Sequence, residues 1–217
     1  CSWPTCAPTW HSRWRSSSGT VFDRVGPALN HAEVPVSPWV KRWSHLVAPG
    51  ASVLDVACGS GRHVRWFARQ GCRGTALDRD AGAVEPLRKI AAVVVADIEG
   101  AAWPLPGQTF GAVIVTNYLW RELFPVLMQC LAPGGVLIYE TFAFGQQSVG
   151  KPSNPAFLLR PGELLGATRG LRTVAFEDGF VAPPDRYVQR IVAVNEPAQG
   201  VSIARYRLDE GAAGGAP

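Results

Sequence analysis

Between residues 35 and 195 the chain alternates short apolar runs with stretches whose apolar residues recur at helical spacing. Val53-Leu54-Asp55-Val56-Ala57 is nearly continuous in apolar character, the pattern of a strand covered on both faces. Arg62 to Gln70 follows as a helix that turns Val64, Phe67 and Ala68 to one side. The same alternation repeats. Gly74 to Asp78 is a second strand, Asp80 to Ile90 a helix weakened by Pro86, and Ala91 to Ala96 a third strand. Phe110 to Thr116 is a fourth strand, Leu119 to Leu131 a helix kinked at Pro125, and Val136 to Phe142 a fifth strand entered through a Pro133-Gly134-Gly135 turn. Ahead of the first strand, Val36, Trp39, Val40, Trp43 and Leu46 mark a helix over Pro35 to Val47, its tryptophans read as core.

After Phe142 the pattern changes. Residues 145–155 are polar and rich in Gly and Pro, and a loop of this length in a compact domain is commonly functional. Pro161 suits the first turn of a helix and Glu163 its positive end. Leu171 to Phe180 and Tyr187 to Asn195 then read as a closing pair of strands. This order predicts an α/β fold with a doubly wound, mostly parallel sheet of seven strands. Residues 1–34 read as an N-terminal tail and lead-in, 35–195 as one domain, and 196–217 as a C-terminal tail.

Composition narrows the classes. With 217 residues, 47% of them hydrophobic, the chain suffices for one sizeable α/β core and not for two full domains. No apolar run approaches the ~20 residues that cross a bilayer, and the opening lacks the pattern of a secretory leader. Five cysteines, scattered and odd in number, form no disulfide framework, so a cytoplasmic setting is expected. The net charge of +4 comes from scattered Lys and Arg, without the block of like charge that marks a nucleic-acid surface. Cys1, Cys6 and His11 lack a second ligand pair at zinc spacing, so no metal is expected.

The chemistry gathers where strands end. Asp55 lies inside the first strand and precedes a turn carrying Gly59 and Gly61, which opens a helix. Those glycines permit backbone angles and a ligand approach that a β-carbon would block, and the helix start offers free amides. A dinucleotide site would want a third glycine where Val64 stands, and Asp55 would oppose its pyrophosphate. A strand carboxylate beside a glycine turn suits instead a ligand with both ammonium and carboxylate groups. Asp78 closes the second strand and Asp97 follows the third, so three successive strands deliver acids to one sheet edge.

Asp55 through Gly61 resembles the first motif of the class I S-adenosylmethionine-dependent methyltransferases, D-x-x-x-G-x-G, with Ala57 where the family commonly has a further glycine. Leu131-Ala-Pro-Gly-Gly135 before the fifth strand is also typical of the family. Phe157-Leu-Leu-Arg-Pro-Gly-Glu-Leu164 and Phe176-Glu-Asp-Gly179 are similar to the small bacterial methyltransferases related to tellurite-resistance proteins. The resemblance covers about residues 35–195 and implies the Rossmann-like methyltransferase sheet with an antiparallel last strand. It implies S-adenosyl-L-methionine as cofactor, with Asp55 near the methionine ammonium and Gly59 and Gly61 along its backbone. Asp78 would accept the ribose hydroxyls, and Asp97 and the Ile98 amide would meet adenine. Ala57, Cys58 and Arg79 complete the expected lining, and Asn117 and Tyr118 are the expected catalytic pair where methyl and acceptor meet.

Methyl transfer from a sulfonium asks a protein mainly for positioning and a dry pocket, and for a base only when the acceptor arrives protonated. His63 is expected to pack or cap, and Glu140, Arg160 and Arg121 are the charged residues to inspect near an acceptor, each read as structural before it is read as functional. A small-molecule acceptor such as a thiol, a metalloid oxyanion or a carboxylate is favoured, under a covering loop at 145–160, on a monomer or weak dimer. A nucleic-acid or protein methyltransferase and a non-catalytic cofactor-binding module stand as the alternatives.

Overall fold

The computed structural model describes residues 34–197 and 204–208, so the expectations for residues 1–33, 198–203 and 209–217 lie outside it. Seven strands form one sheet in the order β3-β2-β1-β4-β5-β7-β6. They are β1 (Ser52–Val56), β2 (Arg73–Asp78), β3 (Ala91–Val95), β4 (Phe110–Thr116), β5 (Leu131–Phe142), β6 (Arg172–Val181) and β7 (Arg186–Val194). The pairs from β3 through β5 are parallel, whereas β7 runs antiparallel to both β5 and β6. The chain order therefore reverses beside β1, where β2 and β4 flank it, and α/β sheets of this type open a crevice at that point.

Alternation along the strands gives two buried faces. Val53, Ile114, Ile138 and Val192 face α1 (Pro38–Trp43) and α2 (Arg62–Arg69) through Trp39, Trp43 and Phe67. Leu54, Val113, Leu137 and Tyr139 face the other way, toward α4 (Phe124–Gln129) and α5 (Glu163–Ala167) through Leu127 and Leu164. Trp39 and Trp43 are core, with rings 5.6 Å apart in an edge-on arrangement. Helix α1 starts where Ser37 Oγ accepts from the amides of Trp39 and Val40, with Pro38 in the first turn.

Three expected elements differ from what forms. The helix over Asp80 to Ile90 is a short α3 (Ala81–Val84) that tightens into a 3-10 turn over Glu85–Lys89, because Pro86 supplies no amide for a further α-turn. The helix over Leu119 to Leu131 contracts to α4, which begins beside Pro125 after a 3-10 turn. Its last expected residue, Leu131, instead opens β5 by pairing with Phe110. The Pro133-Gly134-Gly135 segment becomes an irregularity inside that strand.

Candidate active site

Strand β1 runs into a turn in which Ala57, Gly59 and Gly61 all take the left-handed conformation, at φ of 51°, 54° and 76°. Gly61 admits no side chain, since a Cβ there would collide with the Leu87 side chain. The turn is pinned from the neighbouring strand: the Gly59 amide donates to Asp78 Oδ2 at 2.7 Å and the Cys58 amide to the Leu77 carbonyl at 3.1 Å. Asp78 Oδ1 accepts from the Asp80 amide. Asp97 Oδ1 likewise accepts from the Glu99 amide, which fixes the turn after β3.

The structure brings Ala57, Asp78, Asp97, Ile98, Glu99 and Tyr118 around one cleft of about 190 Å³, with Arg79 on its wall. Asp55, Cys58, Gly59, Gly61 and Asn117 do not line it. Gly59 touches it through Asp78, and Asn117 lines a neighbouring pocket of about 270 Å³ that shares Glu99 and Tyr118 with the cleft. Asn117 holds a left-handed backbone at φ 55°, anchored by its amide to the Glu140 carbonyl, and the buried Tyr139 hydroxyl donates to the Tyr118 carbonyl at 2.8 Å. The expected catalytic pair is thus presented on a turn clamped from β5.

Asp55 is buried, and neither carboxylate oxygen has a hydrogen-bond partner among the described residues. His63 Nδ1 stands 3.7 Å from Asp55 Oδ2, while the Ser37 amide donates to His63 Nε2 at 3.4 Å. A buried carboxylate without hydrogen bonds is costly, and the polar side chain beside this one is His63. The acids of the cleft and the glycine turn suit the hydroxyl and amine donors that S-adenosylmethionine presents.

Side-chain electrostatics restrict the roles. Burial, reinforced by Asp55 and Asp78, pushes the Cys58 thiol far up, so it stays protonated. Burial and then Glu99 and Asp97 do the same to the Tyr118 phenol, whose hydroxyl is enclosed beside Glu99 without a hydrogen bond of good geometry. Tyr118 is therefore a hydrogen-bond donor and not a proton acceptor at neutral pH. No group of His, Cys, Asp and Glu among the described residues could hold a metal ion.

Sequence reasoning missed several participants. Arg62, the first residue of α2, reaches Thr116 Oγ1 and the Pro35 carbonyl at 3.4 Å each. Its pKa is lowered by burial, against the Glu140 and Asp55 carboxylates and with the Arg186 charge. Arg186 has a buried Nε without a partner among the described residues. Glu140, singled out for the acceptor, instead accepts from Ser37 Oγ at 2.8 Å and pairs with Arg190 at 3.2 Å on the α1 side. Arg121 is structural as well: it holds both oxygens of Glu163 and donates to the carbonyls of Ala156 and Leu158. Nor does the 145–160 segment hang free. Gln146 bridges the Lys151 carbonyl and the Tyr187 amide at one end, and Arg121 grips the other. Arg160 lines a separate cavity of about 380 Å³ with Phe144 and Arg121.

Residues 53–135 match the family described as "Methyltransferase domain". Over 108 residues the chain is 32% identical to the malonyl-[acyl-carrier protein] O-methyltransferase of Serratia marcescens, an alignment spanning 45% of this chain and 40% of that protein. Among solved structures it superposes on TehB from Haemophilus influenzae with a TM-score of 0.62 at 17% identity, covering 74% of this chain and 63% of that one. It also superposes on coclaurine N-methyltransferase bound to N-methylheliamine and SAH, with a TM-score of 0.51 at 17% identity over 65% of this chain and 49% of that one. The chain thus spans less than two thirds of these relatives, and the structural likenesses speak to fold. Residues 53–135 thus carry the methyltransferase-domain match, within a seven-stranded sheet of the fold that these methyltransferase structures share. S-adenosylmethionine is the cofactor of such methyltransferases, and the acids and the glycine turn described above fit it.

Proposed function

We propose that this chain transfers a methyl group from S-adenosylmethionine to a small-molecule acceptor, with residues 35–195 as the catalytic domain. The observation that supports the reading is a pair of neighbouring pockets: the cleft lined by Asp78 and Asp97 shares Glu99 and Tyr118 with a second pocket. When bound, S-adenosylmethionine supplies a methyl group on a sulfonium leaving group. Asp55 would face its ammonium and Arg62 its carboxylate, across the turn formed by Ala57, Cys58, Gly59 and Gly61. Asp78 would hold the ribose hydroxyls, with Arg79 beside it, and Asp97 and the Ile98 amide would meet adenine.

The chain's own work is orientation and exclusion of water. Tyr118 borders both pockets and Asn117 the second one, held by the Tyr139 hydroxyl and the Glu140 carbonyl respectively. The phenol of Tyr118 donates and takes no proton, and the Cys58 thiol is no nucleophile. A thiol, a metalloid oxyanion and a carboxylate are the acceptor classes raised by the sequence, and the Serratia relative is named for an O-methyl transfer. No helix among the described residues is long and apolar enough to cross a membrane. A cytoplasmic setting and a monomer or weak dimer belong to the same proposal, supported by the free thiols Cys58, Cys72 and Cys130. The test is a thermal-shift and calorimetric screen with S-adenosylmethionine and S-adenosylhomocysteine, followed by acceptor profiling that reads S-adenosylhomocysteine release. Absence of cofactor binding would refute it.

A further inference from the structure

The acceptor pocket has a chemistry of its own. Its body is apolar and aromatic, made by Leu119, Phe142, Pro152 and Phe157. Phe157 is 48% exposed and leaves one side open to solvent. Four residues with polar side chains complete the lining: Asn117 after β4, Thr141 from β5, and Tyr118 and Glu99, both shared with the nucleoside cleft. Among the described residues that line it, Glu99 is the single charged one.

Arg79 stands on the wall of the adjoining cleft, and the other cations are placed further off. Arg62 and Arg186 do not line the pocket, and Arg62 is placed among Thr116, Asp55 and Glu140. Arg121 and Arg160 line the cavity beyond Phe144, which shares no lining residue with the pocket or with the cleft. An anionic acceptor seated there would meet Glu99 and no cation in the pocket's own lining, with Arg79 set back in the adjoining cleft, an arrangement that electrostatic complementarity disfavours. A nitrogen nucleophile carried on an apolar body meets the opposite situation.

We infer that the methyl acceptor is an amine on an aromatic or aliphatic body, seated on Phe157, Phe142 and Leu119 with its nitrogen toward Glu99. This inference rests on the methyltransferase reading above. The bound ammonium first gives up a proton to solvent; the lone pair so freed on nitrogen forms the new bond to the methyl carbon, whose bond to sulfur breaks with the electron pair kept by sulfur. Positive charge so moves from sulfur to nitrogen, toward Glu99, and the product ammonium releases its proton to solvent. A carboxylate at the rim, beside the site where positive charge develops, favours that displacement over one at an oxyanion.

A matched pair of probes tests this on the full chain saturated with S-adenosylhomocysteine. Calorimetric titration with 2-phenylethylamine and 3-phenylpropionate compares a cation and an anion on the same body. The amine is expected to bind about fivefold more tightly, the upper range for a partly exposed charge pair. The difference is expected to vanish in Glu99→Gln, and Phe157→Ala is expected to weaken both probes together. Equal binding of the two, tighter binding of the carboxylate, or binding of neither would overturn the inference, as would a preference that survives Glu99→Gln. Failure of the preceding S-adenosylhomocysteine titration would instead overturn the methyltransferase reading, so the two failures are read from separate steps.

Discussion

The Gly59 amide donates to Asp78 Oδ2 at 2.7 Å, so the turn that ends β1 and the acid that ends β2 are one assembly. Asp78 also receives the Asp80 amide, which makes it the brace of two turns as well as a candidate ribose ligand. Asp78→Ala is accordingly expected to cost about 1–2 kcal/mol of stability, through amides left without acceptors. The same variant should weaken S-adenosylmethionine binding about tenfold or more. Denaturant unfolding and calorimetry read the two effects separately. Unchanged affinity would remove Asp78 from the site.

Ala57 holds φ at 51°, a conformation that charges an alanine about 1–2 kcal/mol over a right-handed one. Glycine at that place carries no such strain, though it gives the unfolded chain more freedom. Ala57→Gly is therefore expected to stabilise the fold by about 0.5–1 kcal/mol, read as a higher urea midpoint at unchanged slope. A lower midpoint would show that the turn is not strained.

Tyr139 is fully buried and Tyr118 partly so. Burial is the leading cause that pushes both phenols above the ordinary tyrosine value, with Glu99 adding to it at Tyr118 and Tyr118 itself at Tyr139. Raised folded-state values mean that their contribution is complete below about pH 10 and is lost as pH climbs beyond it. Stability is expected to be flat in this respect from neutral pH to about 10 and then to fall. Tyr139→Phe should flatten part of that alkaline fall. It should also cost about 1 kcal/mol at neutral pH, since the Tyr118 carbonyl loses its donor. An alkaline slope identical to wild type would contradict the assignment.

Glu163 behaves in the opposite sense. Burial works against its ionisation, but the Arg121 guanidinium and the Arg160 amide outweigh burial and hold its carboxyl below the usual range. Its contribution is thus present above the ordinary glutamate value of about 4.3 and is lost as pH falls through the depressed one. Arg121→Ala is expected to cost about 2 kcal/mol at pH 7, less in acid. It should also speed proteolysis between residues 145 and 160, because the carbonyls of Ala156 and Leu158 lose their donor. Proteolysis at the wild-type rate would show that the segment is held by other contacts.

Strands were the legible part of this fold, because an apolar run flanked by glycine or acid admits few other readings. Phe110 to Thr116 forms as its pattern predicts, and β7 lies antiparallel beside β5 as the family resemblance implies. Helix lengths were not legible where prolines intervene: Pro86 and Pro125 set where α3 ends and α4 begins, which spacing alone did not resolve. The acids at strand ends could be placed because β1, β2 and β3 are parallel and in register, which carries Asp78 and Asp97 to one cleft. Roles that depend on contacts between distant segments were illegible. Nothing local to Glu140 announces that Ser37 and Arg190 will claim it, and nothing local to Glu99 announces that it will border two pockets. Arg62 did carry a signal, a cation at the start of the helix that follows the glycine turn.

The most direct test concerns Asp55, whose carboxylate is buried without a donor among the described residues. If it faces a ligand ammonium, it is a charge kept for binding at a cost to the empty fold. Titration of wild type and Asp55→Asn with S-adenosylhomocysteine, alongside urea unfolding of both without ligand, is the decisive measurement. The account predicts that the variant is more stable when empty and binds about tenfold or more weakly. A variant that binds as well as wild type, or a wild-type protein that gives no saturable binding, would contradict it.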